Sequence, residues 1–231
     1  MTISIIIPAY NEEKFLPDTL KSIQNLIRKP DEVIIVDGGS TDNTAIIGKS
    51  FNTKVITVEH RGIGYARQKG LEKATCDIVA YTDADTIVPR DWLSKIEESL
   101  SGPEVSAVYS GYYVTNSWFI YWYFINYIQP FIFHIGYLLN MYFGGGQNIA
   151  FWKNKGIKSG GFPVDFKSVE DFEILKRLKT VGKVIYRTDN FVNSSGRRGS
   201  EGFSMITRVL KGFFIYFTTG KADKFDFPDI R

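Results

Sequence analysis

The first hundred residues alternate between short apolar runs and amphipathic stretches, and this alternation constrains the fold more than any other feature. Four runs rich in Ile and Val have the length and composition of buried strands: residues 3–7, 33–36, 55–58 and 78–82. Helices are predicted after them: at residues 12–27, from residue 41 or 42 onward, at 63–73 and at 89–100. This order predicts an α/β fold with a doubly wound, mostly parallel sheet.

Polar residues follow three of the predicted strands directly. Tyr10 and Asn11 follow the first strand, Asp37 ends the second, and Asp83 and Asp85 follow the fourth. Ligands of open parallel sheets bind outside the carboxyl ends of the strands. These side chains are therefore expected on one rim of one cleft.

Asp83-Ala84-Asp85 has the pattern of a divalent metal site. Two carboxylates separated by one residue at a strand end can face a common ion, and Mg²⁺ or Mn²⁺ prefers oxygen ligands and often keeps substrate phosphates in its shell. Such an ion would neutralise the charge that develops on a diphosphate leaving group. A turn or helix cap rich in Asp is the alternative, and the pattern alone does not decide between them.

Asp37 and the glycines after it are candidates for nucleotide binding. The carboxylate can accept a hydrogen bond from a base or a ribose, and glycine lets the backbone approach a ligand closely. A dinucleotide fingerprint is missing, because Gly62-x-Gly64 follows the third strand and has Arg67 in place of the third glycine. Arg67 is interpreted as a cation aimed at phosphates or at Asp85, with an exposed helix arginine as the alternative.

Residues 105–152 contain no Asp, Glu, Lys or Arg, and 118–143 are rich in Trp, Tyr and Phe. The run is long enough to span a membrane, but Pro130 interrupts it. Two shorter helices are expected, which lie in the bilayer interface or form a buried subdomain or oligomer contact. The lysines that follow could meet anionic headgroups: Lys153, Lys155 and Lys158. The remaining predicted elements are a helix at 170–179, a strand at 183–187 and a helix at 200–217.

The charge balance and the single cysteine limit which binding partners and which cellular compartment fit the sequence. With 28 basic and 25 acidic residues and a net charge of +3, the chain gives no case for nucleic acid. Cys76 is the single cysteine, which excludes an internal disulfide and fits a reducing compartment. A cytoplasmic protein is expected, peripheral to the cytoplasmic face of the membrane if the aromatic run lies in the interface. The amino terminus lacks the basic region of a signal peptide, so residues 3–7 are interpreted as a strand.

Five segments in order resemble glycosyltransferase family 2: SIIIPAYNEEKFLPDTLKSI, VIIVDGGSTDNT, RGIGYARQKGLEKATCDIVAYTDADT, GGGQNIAFWK and GGFPVDFKSVEDFEILKRLKTVGKV, with SSGRRG as a looser sixth. The resemblance runs from about residue 2 to residue 198 and is weakest between 112 and 143. It implies a GT-A fold. It also implies a metal-dependent enzyme that moves a sugar from a UDP- or GDP-linked donor to an acceptor with inversion.

The resemblance further implies roles for individual residues. The nucleotide pocket would use Pro8, Ala9, Tyr10, Glu12, Asp37, Arg67, Asp83 and Ala84. Asp85, with Asp83, would bind Mg²⁺ or Mn²⁺. Asp171, beside Glu170, would be the general base, and the alternative for this pair is an acidic first helical turn that complements the helix dipole. Arg197 and Arg198 resemble basic residues on a loop that closes over the diphosphate or the acceptor.

One domain over residues 1–231 is expected. It would comprise a nucleotide-sugar-binding half at 1–104, an acceptor half at 105–199 with an aromatic helical insertion at 117–143, and a C-terminal helix and tail at 200–231. The acceptor would be a glycan or a lipid-linked molecule such as a polyprenyl phosphate, and a phosphate acceptor would need no base. The alternative is a catalytically degenerate GT-A scaffold or partner-binding subunit. A nucleotidyltransferase is disfavoured, because PAYNEE stands where its Gly-rich, Arg-containing loop would be.

Overall fold

A computed structural model describes residues 1–166, 168–197, 199 and 203–220. The strands in this part of the chain are β1 (Ile3–Ala9), β2 (Glu32–Asp37), β3 (Lys54–Thr57), β4 (Ile78–Tyr81), β5 (Thr86–Ile87), β6 (Val105–Thr115), β7 (Ile149–Trp152) and β8 (Lys183–Ser195). The helices are α1 (Leu16–Gln24), α2 (Thr44–Ser50), α3 (Ile63–Lys73), α4 (Trp92–Ser99), α5 (Phe119–Tyr123), α6 (Gln129–Leu138), α7 (Lys153–Lys158), α8 (Glu170–Lys179) and α9 (Phe203–Thr219). A π-helical turn at Phe124–Ile128 joins α5 to α6.

The strands form one mixed sheet in the order β3-β2-β1-β4-β7-β6-β8-β5. The first four predicted strands are confirmed, and they pair in parallel, with Ala9 opposite Asp37 and Asp37 opposite Thr57. Strand β7 then runs antiparallel between β4 and β6, and β8 pairs in parallel with β6. The carboxyl ends of β1, β2 and β4 therefore meet at one edge, as the strand–helix alternation predicts.

The sheet is covered on both faces. Ile5 of β1 shares one apolar cluster with residues of α1 and α4, and Ile6 shares the other with residues of α3 and α8. Successive residues of a strand point to opposite faces, and each fully buried isoleucine contributes about 1.5–3 kcal/mol. A Cβ at Gly70 would lie 2.3 Å from Cγ2 of Ile6, so this glycine lets α3 lie against β1.

Several boundaries differ from the sequence-based expectation. Helix α1 begins at Leu16 rather than at residue 12, because residues 12–15 form a turn in which Phe15 N donates to Glu12 O at 3.1 Å. Strands β6 and β7 were not predicted, and β8 extends to Ser195 instead of residue 187. The aromatic run forms two short helices, α5 and α6, as expected, and Pro130 lies in the first turn of α6, a position that tolerates proline.

Candidate functional site

The loops after β1 and β2 are bonded to each other at the carboxyl edge of the sheet. Asp37 is 3% exposed, and its Oδ1 accepts hydrogen bonds from Ser40 N at 3.1 Å and Ser40 Oγ at 2.5 Å. Asn11 adopts a left-handed conformation with φ 52° and donates its N–H to Ser40 Oγ at 2.8 Å. Asp37 is thus held at the rim by its own loop.

An aromatic pair stands beside this loop. The rings of Tyr10 and His60 lie 4.0 Å apart between centroids, tilted by 34°. A Cβ at Gly38 would lie 3.3 Å from Nδ1 of His60, so the glycine backbone is in contact with the imidazole. Sequence reasoning identified Tyr10 but missed His60, because His60 follows β3 with no motif around it.

Three apolar residues of the predicted pocket are buried as well. Pro8, Ala9 and Ala84 expose little surface to a ligand. Ala84 also uses its carbonyl internally, since it accepts from Thr19 Oγ1 at 2.8 Å.

Arg67 is the centre of a buried ionic network. Its side chain is 2% exposed and donates to Asp83 Oδ1 at 2.9 Å and to Glu170 Oε1 at 2.5 Å. The sequence-based interpretation aimed Arg67 at phosphates or at Asp85, whereas the structure places it between Asp83 and Glu170. This cation joins the end of β4 to the start of α8, although Glu170 lies 103 positions further along the chain.

Asp171 is held by backbone N–H groups. Gly146 N donates to Asp171 Oδ2 at 3.2 Å, and Phe172 N donates to Oδ1 at 2.8 Å. Burial first, and the adjacent charge of Glu170 second, raise the pKa of Asp171 to about 7, while Arg67 and the two N–H groups act in the opposite direction. A carboxylate with a pKa near neutrality is suited to accept a proton at physiological pH.

Gly146 lies directly beside the Arg67 guanidinium. A Cβ at this position would lie 2.2 Å from Cζ of Arg67. Such a distance leaves no room for a side chain. The glycine therefore lets one backbone segment contact Arg67 on one side and Asp171 on the other.

Unpaired polar atoms and backbone strain accompany this network. Among the described residues, Arg67 Nε, Thr82 Oγ1 and Ser168 Oγ are buried without a hydrogen-bond partner. Val169 has φ 53°, a costly conformation for a β-branched residue. Buried polar groups are almost always paired in folded proteins, and strained residues cluster at functional sites. These features make the region around Arg67 a candidate ligand-binding site.

Asp85 belongs to a second ionic cluster. Its Oδ2 accepts from Ser195 Oγ, and the same oxygen lies 3.1 Å from Nε of Arg197. Arg197 also forms a two-pronged pair with Glu12, at 2.6 Å and 2.9 Å. The predicted rim residues Glu12, Asp85 and Arg197 are therefore in contact. Arg198 lies outside the described residues.

The donor set at the end of β4 fits a metal that arrives with a nucleotide. Within the described ranges, no three His, Cys, Asp or Glu side chains are placed to hold a metal ion by themselves. Asp83 and Asp85 supply carboxylate oxygens, and the Asp83 side chain is 26% exposed at the rim. Hard divalent cations are often bound by one or two carboxylates plus substrate phosphates, which this pair can satisfy.

The segment from α5 to α6 carries an aromatic face, which we define as the exposed side chains Phe119, Tyr127, Phe131, Leu138 and Leu139. These residues are 69%, 58%, 65%, 60% and 66% exposed. The opposite side of the segment packs on β6 and β8 through buried residues such as Ile125 and Phe133. In the described part of the chain, no helix is both long enough and apolar enough to cross a bilayer.

Residues 4–172 match the sequence profile of Glycosyl transferase family 2. The chain belongs to this family. Among curated relatives, it is 43% identical over 97 residues to the uncharacterized glycosyltransferase YaiP of Escherichia coli, which is 38% of this chain and 24% of the relative. It is 35% identical over 112 residues to poly-beta-1,6-N-acetyl-D-glucosamine synthase of Staphylococcus epidermidis, covering 46% of this chain and 27% of the relative. The matched segments thus span about a quarter of these relatives.

Solved structures of glycosyltransferases share the fold. The mannosyltransferase PcManGT of Pyrobaculum calidifontis, in complex with GDP-Man and Mn²⁺, aligns with a TM-score of 0.70 at 23% identity over 95% of this chain and 65% of that chain. Glucosyl-3-phosphoglycerate synthase of Mycobacterium tuberculosis, in complex with Mn²⁺, UDP and glucosyl-3-phosphoglycerate, aligns with a TM-score of 0.67 at 22% identity over 96% of this chain and 81% of that chain. S. aureus TarS in complex with UDP-GlcNAc aligns with a TM-score of 0.68 at 20% identity over 93% of this chain and 67% of that chain. These comparisons confirm the expected GT-A fold.

The structure groups the candidate residues into two ionic clusters. The network around Arg67 joins Asp83 to the acidic pair, and Arg197 joins Glu12 to Asp85. Ser195 was missed, because a serine at the end of a strand has no distinctive pattern. Gly146 lies in the GGGQNIAFWK segment that was recognised, but its contact with Arg67 depends on the tertiary fold.

Proposed function

We propose that this chain is a metal-dependent, inverting glycosyltransferase that moves a sugar from a UDP- or GDP-linked donor to an acceptor. The observation that carries the proposal is the Arg67 bridge from Asp83 at the end of β4 to Glu170 beside Asp171. Sugar transfer needs one group at the departing diphosphate and another at the attacking oxygen. Asp83 is the candidate for the diphosphate end, and Asp171 is the candidate for the attacking oxygen. Arg67 joins Asp83 to Glu170, the neighbour of Asp171.

The donor end of this site would use the rim of the sheet. The backbone of residues 8–10 and the Asp37 carboxylate would hold the base and the ribose, with the ring of Tyr10 beside them. Asp83 and Asp85 would hold Mg²⁺ or Mn²⁺ together with the phosphates. When bound, this ion would neutralise the charge on the leaving diphosphate.

The acceptor end would use Asp171. Its carboxylate would take the proton from an acceptor hydroxyl as that oxygen attacks the anomeric carbon from the side opposite the diphosphate, which inverts the configuration. The transition state would resemble an oxocarbenium ion, as in glycoside chemistry generally. The backbone N–H groups of Gly146 and Phe172 would keep the carboxylate in place.

The solved relatives support this donor chemistry. PcManGT was solved with GDP-Man and Mn²⁺, the synthase of M. tuberculosis with UDP and Mn²⁺, and TarS with UDP-GlcNAc. Both nucleotides are therefore compatible with this fold, and both belong in the test.

We further propose that the acceptor is a lipid-linked molecule, such as a polyprenyl phosphate or a lipid-bound glycan, at the cytoplasmic face of a membrane. The aromatic face supports this, because monomeric proteins rarely expose so continuous an apolar surface without a partner. Tyrosine, phenylalanine and leucine on one side of a helix suit the depth of lipid headgroups. A buried contact with another protein is the alternative for the same face.

The donor site is tested by the thermal stability of the protein with UDP or GDP, each with Mn²⁺ or with EDTA. A ligand at about a hundred times its Kd adds about 2.7 kcal/mol of stability if it binds only the folded state. We expect a shift with one nucleotide that requires Mn²⁺ and is lost in Asp85→Asn. Asp18→Asn is the matched control, because its carboxylate is 68% exposed on α1.

Turnover of the matching nucleotide sugar then separates an enzyme from a scaffold. In an enzyme, the acceptor receives the sugar and the nucleoside diphosphate is released, and Asp171→Asn slows this release when the acceptor is a hydroxyl. A protein that binds the nucleotide with Mn²⁺ but never releases product with any lipid or glycan acceptor would be the degenerate scaffold.

A further inference from the structure

The Arg197 guanidinium lies between two carboxylates, as a bound metal ion would. Its guanidinium lies 2.6 Å and 2.9 Å from the two oxygens of Glu12 and 3.1 Å from Oδ2 of Asp85. The Glu12 and Asp85 side chains are 6% and 10% exposed, so both charges need a nearby cation. Arg197 supplies one to both carboxylates.

The two contacts of the guanidinium differ in strength. The pair with Glu12 is a fork, in which two nitrogens meet two oxygens, whereas the contact with Asp85 is an ion pair through Nε. Parallel charge-assisted hydrogen bonds are stronger and more directional than a single one. Arg197 can therefore leave Asp85 while Glu12 still holds it.

The backbone near Arg197 is fixed to the Asp85 loop independently of this side chain. Ser195 N donates to Asp85 O at 3.0 Å, and Ser194 pairs with Thr86 in the β5–β8 ladder. The guanidinium also lies over the ring of Phe15, 5.1 Å from its centroid. A change of partner would therefore be a movement of the side chain, with β8 left in place.

We propose that Arg197 and a divalent cation are alternative partners of Asp85. The guanidinium neutralises Asp85 in this structure, and a divalent cation at the same oxygen would displace it toward Glu12. A divalent ion and a guanidinium at the same carboxylate oxygen repel each other, so the presence of one weakens the binding of the other. The inference rests on the proposed function for the assignment of Asp85 to the metal.

The test is the affinity for Mn²⁺ alone, measured by the EPR signal of free Mn²⁺ without any nucleotide. If Asp85 is free of Arg197 in about a tenth of the molecules, the apparent affinity is reduced about tenfold. We expect Arg197→Gln to bind Mn²⁺ about tenfold more tightly than the natural protein. The gain should disappear when Asp85→Asn is added to Arg197→Gln.

Two further variants serve as controls. Arg90→Gln removes the same charge from an exposed position and should leave the Mn²⁺ affinity unchanged. Glu12→Gln combined with Arg197→Gln avoids a stranded Glu12 carboxylate, should the single variant lose stability, and it should show the same gain.

The outcomes separate this inference from the proposed function. An Mn²⁺ affinity of Arg197→Gln and of the double variant within twofold of the natural protein would overturn the competition, even if Mn²⁺ binds with UDP or GDP. If the gain in Mn²⁺ affinity persists when Asp85→Asn is added, the proposed competition is also overturned, because the ion would then bind at a site other than Asp85. Absence of Mn²⁺ binding in every variant, with or without nucleotide, would remove the metal site and with it the proposed function.

Discussion

Asp171 differs from Asp83 and Asp85 in its hydrogen-bond partners, which are backbone N–H groups rather than a guanidinium. Its pKa is raised to about 7, so it becomes a base as the pH rises through neutrality. We expect kcat/KM to fall below about pH 7, because this ratio reports the ionisation of the free enzyme. Glu170→Gln removes a charge that raises the pKa of Asp171, and the acidic limb should move to lower pH.

If the fall of kcat/KM at acidic pH stays at the same pH in Glu170→Gln, a group other than Asp171 controls it. Glu173→Gln, on the same helix but bonded to Arg177, is the control and should not move the limb.

Asp171→Asn distinguishes the two kinds of acceptor. General-base catalysis typically contributes on the order of 10²–10⁴ in rate, so an acceptor hydroxyl should make the variant slower by about that factor. A lipid phosphate is already anionic, and its transfer should slow by far less. The measurement is kcat with a hydroxyl acceptor and with a polyprenyl phosphate, each at saturating donor.

Gly146→Ala should disturb the Arg67 network without changing any charge. The added methyl group would lie 2.2 Å from the guanidinium, and overpacking of this kind costs about 1–3 kcal/mol. Urea unfolding measures this loss. Gly102→Ala is the control, since its methyl group would meet only the flexible Glu104 carboxylate, at 3.0 Å. Equal stability of both variants would contradict the close contact at Arg67.

The sequence predicted the individual residues of the rim better than their partners. Asp37 and Asp83 stand at strand ends, which hydrophobic patterning locates without a structure. The partner of Arg67 is 103 positions away on α8, and only the tertiary fold brings the two together. Local patterning carries no information about such a contact.

Among the elements, helices α3 and α8 were predicted best. Their bounds, Ile63–Lys73 and Glu170–Lys179, are those expected, and basic residues lie in the last turn of each. Strands β6 and β7 lie in residues 105–152, where no charge separates buried from exposed positions. Without that contrast, a buried strand and an apolar helix look alike.

The aromatic face leads to a prediction about membrane binding. We expect the protein to sediment with phosphatidylglycerol vesicles, and Phe119→Glu with Phe131→Glu to abolish this. Salt should weaken the binding little, because Lys153 and Lys155 donate to backbone carbonyls of Ala74, Pro103 and Val105 rather than facing a surface.

The control for membrane binding is Ile46→Glu, which alters an isoleucine that is 67% exposed on α2. This variant should bind vesicles as the natural protein does. If the double variant on the aromatic face also binds normally, the face serves another contact, and the lipid-linked acceptor loses its main support.

At the scale of the whole molecule, β7 lies between β4 of the first half and β6 of the second. The two halves, residues 1–104 and 105–199, therefore share one hydrogen-bonded sheet. We propose that the chain unfolds as one domain, with far-UV circular dichroism and tryptophan fluorescence following a single urea transition. Separate transitions would mean that the halves are independent domains.

The bridge through Arg67 also bears on how such chains can be recombined. Arg67 comes from the first half of the chain, whereas Gly146 and Glu170 come from the second. A chimaera that joins the first half of one relative to the second half of another would keep this network only if the first half supplies the arginine and the second half supplies the glycine and the carboxylate. These three positions should therefore pass between family members as a set, while the aromatic face can be exchanged on its own.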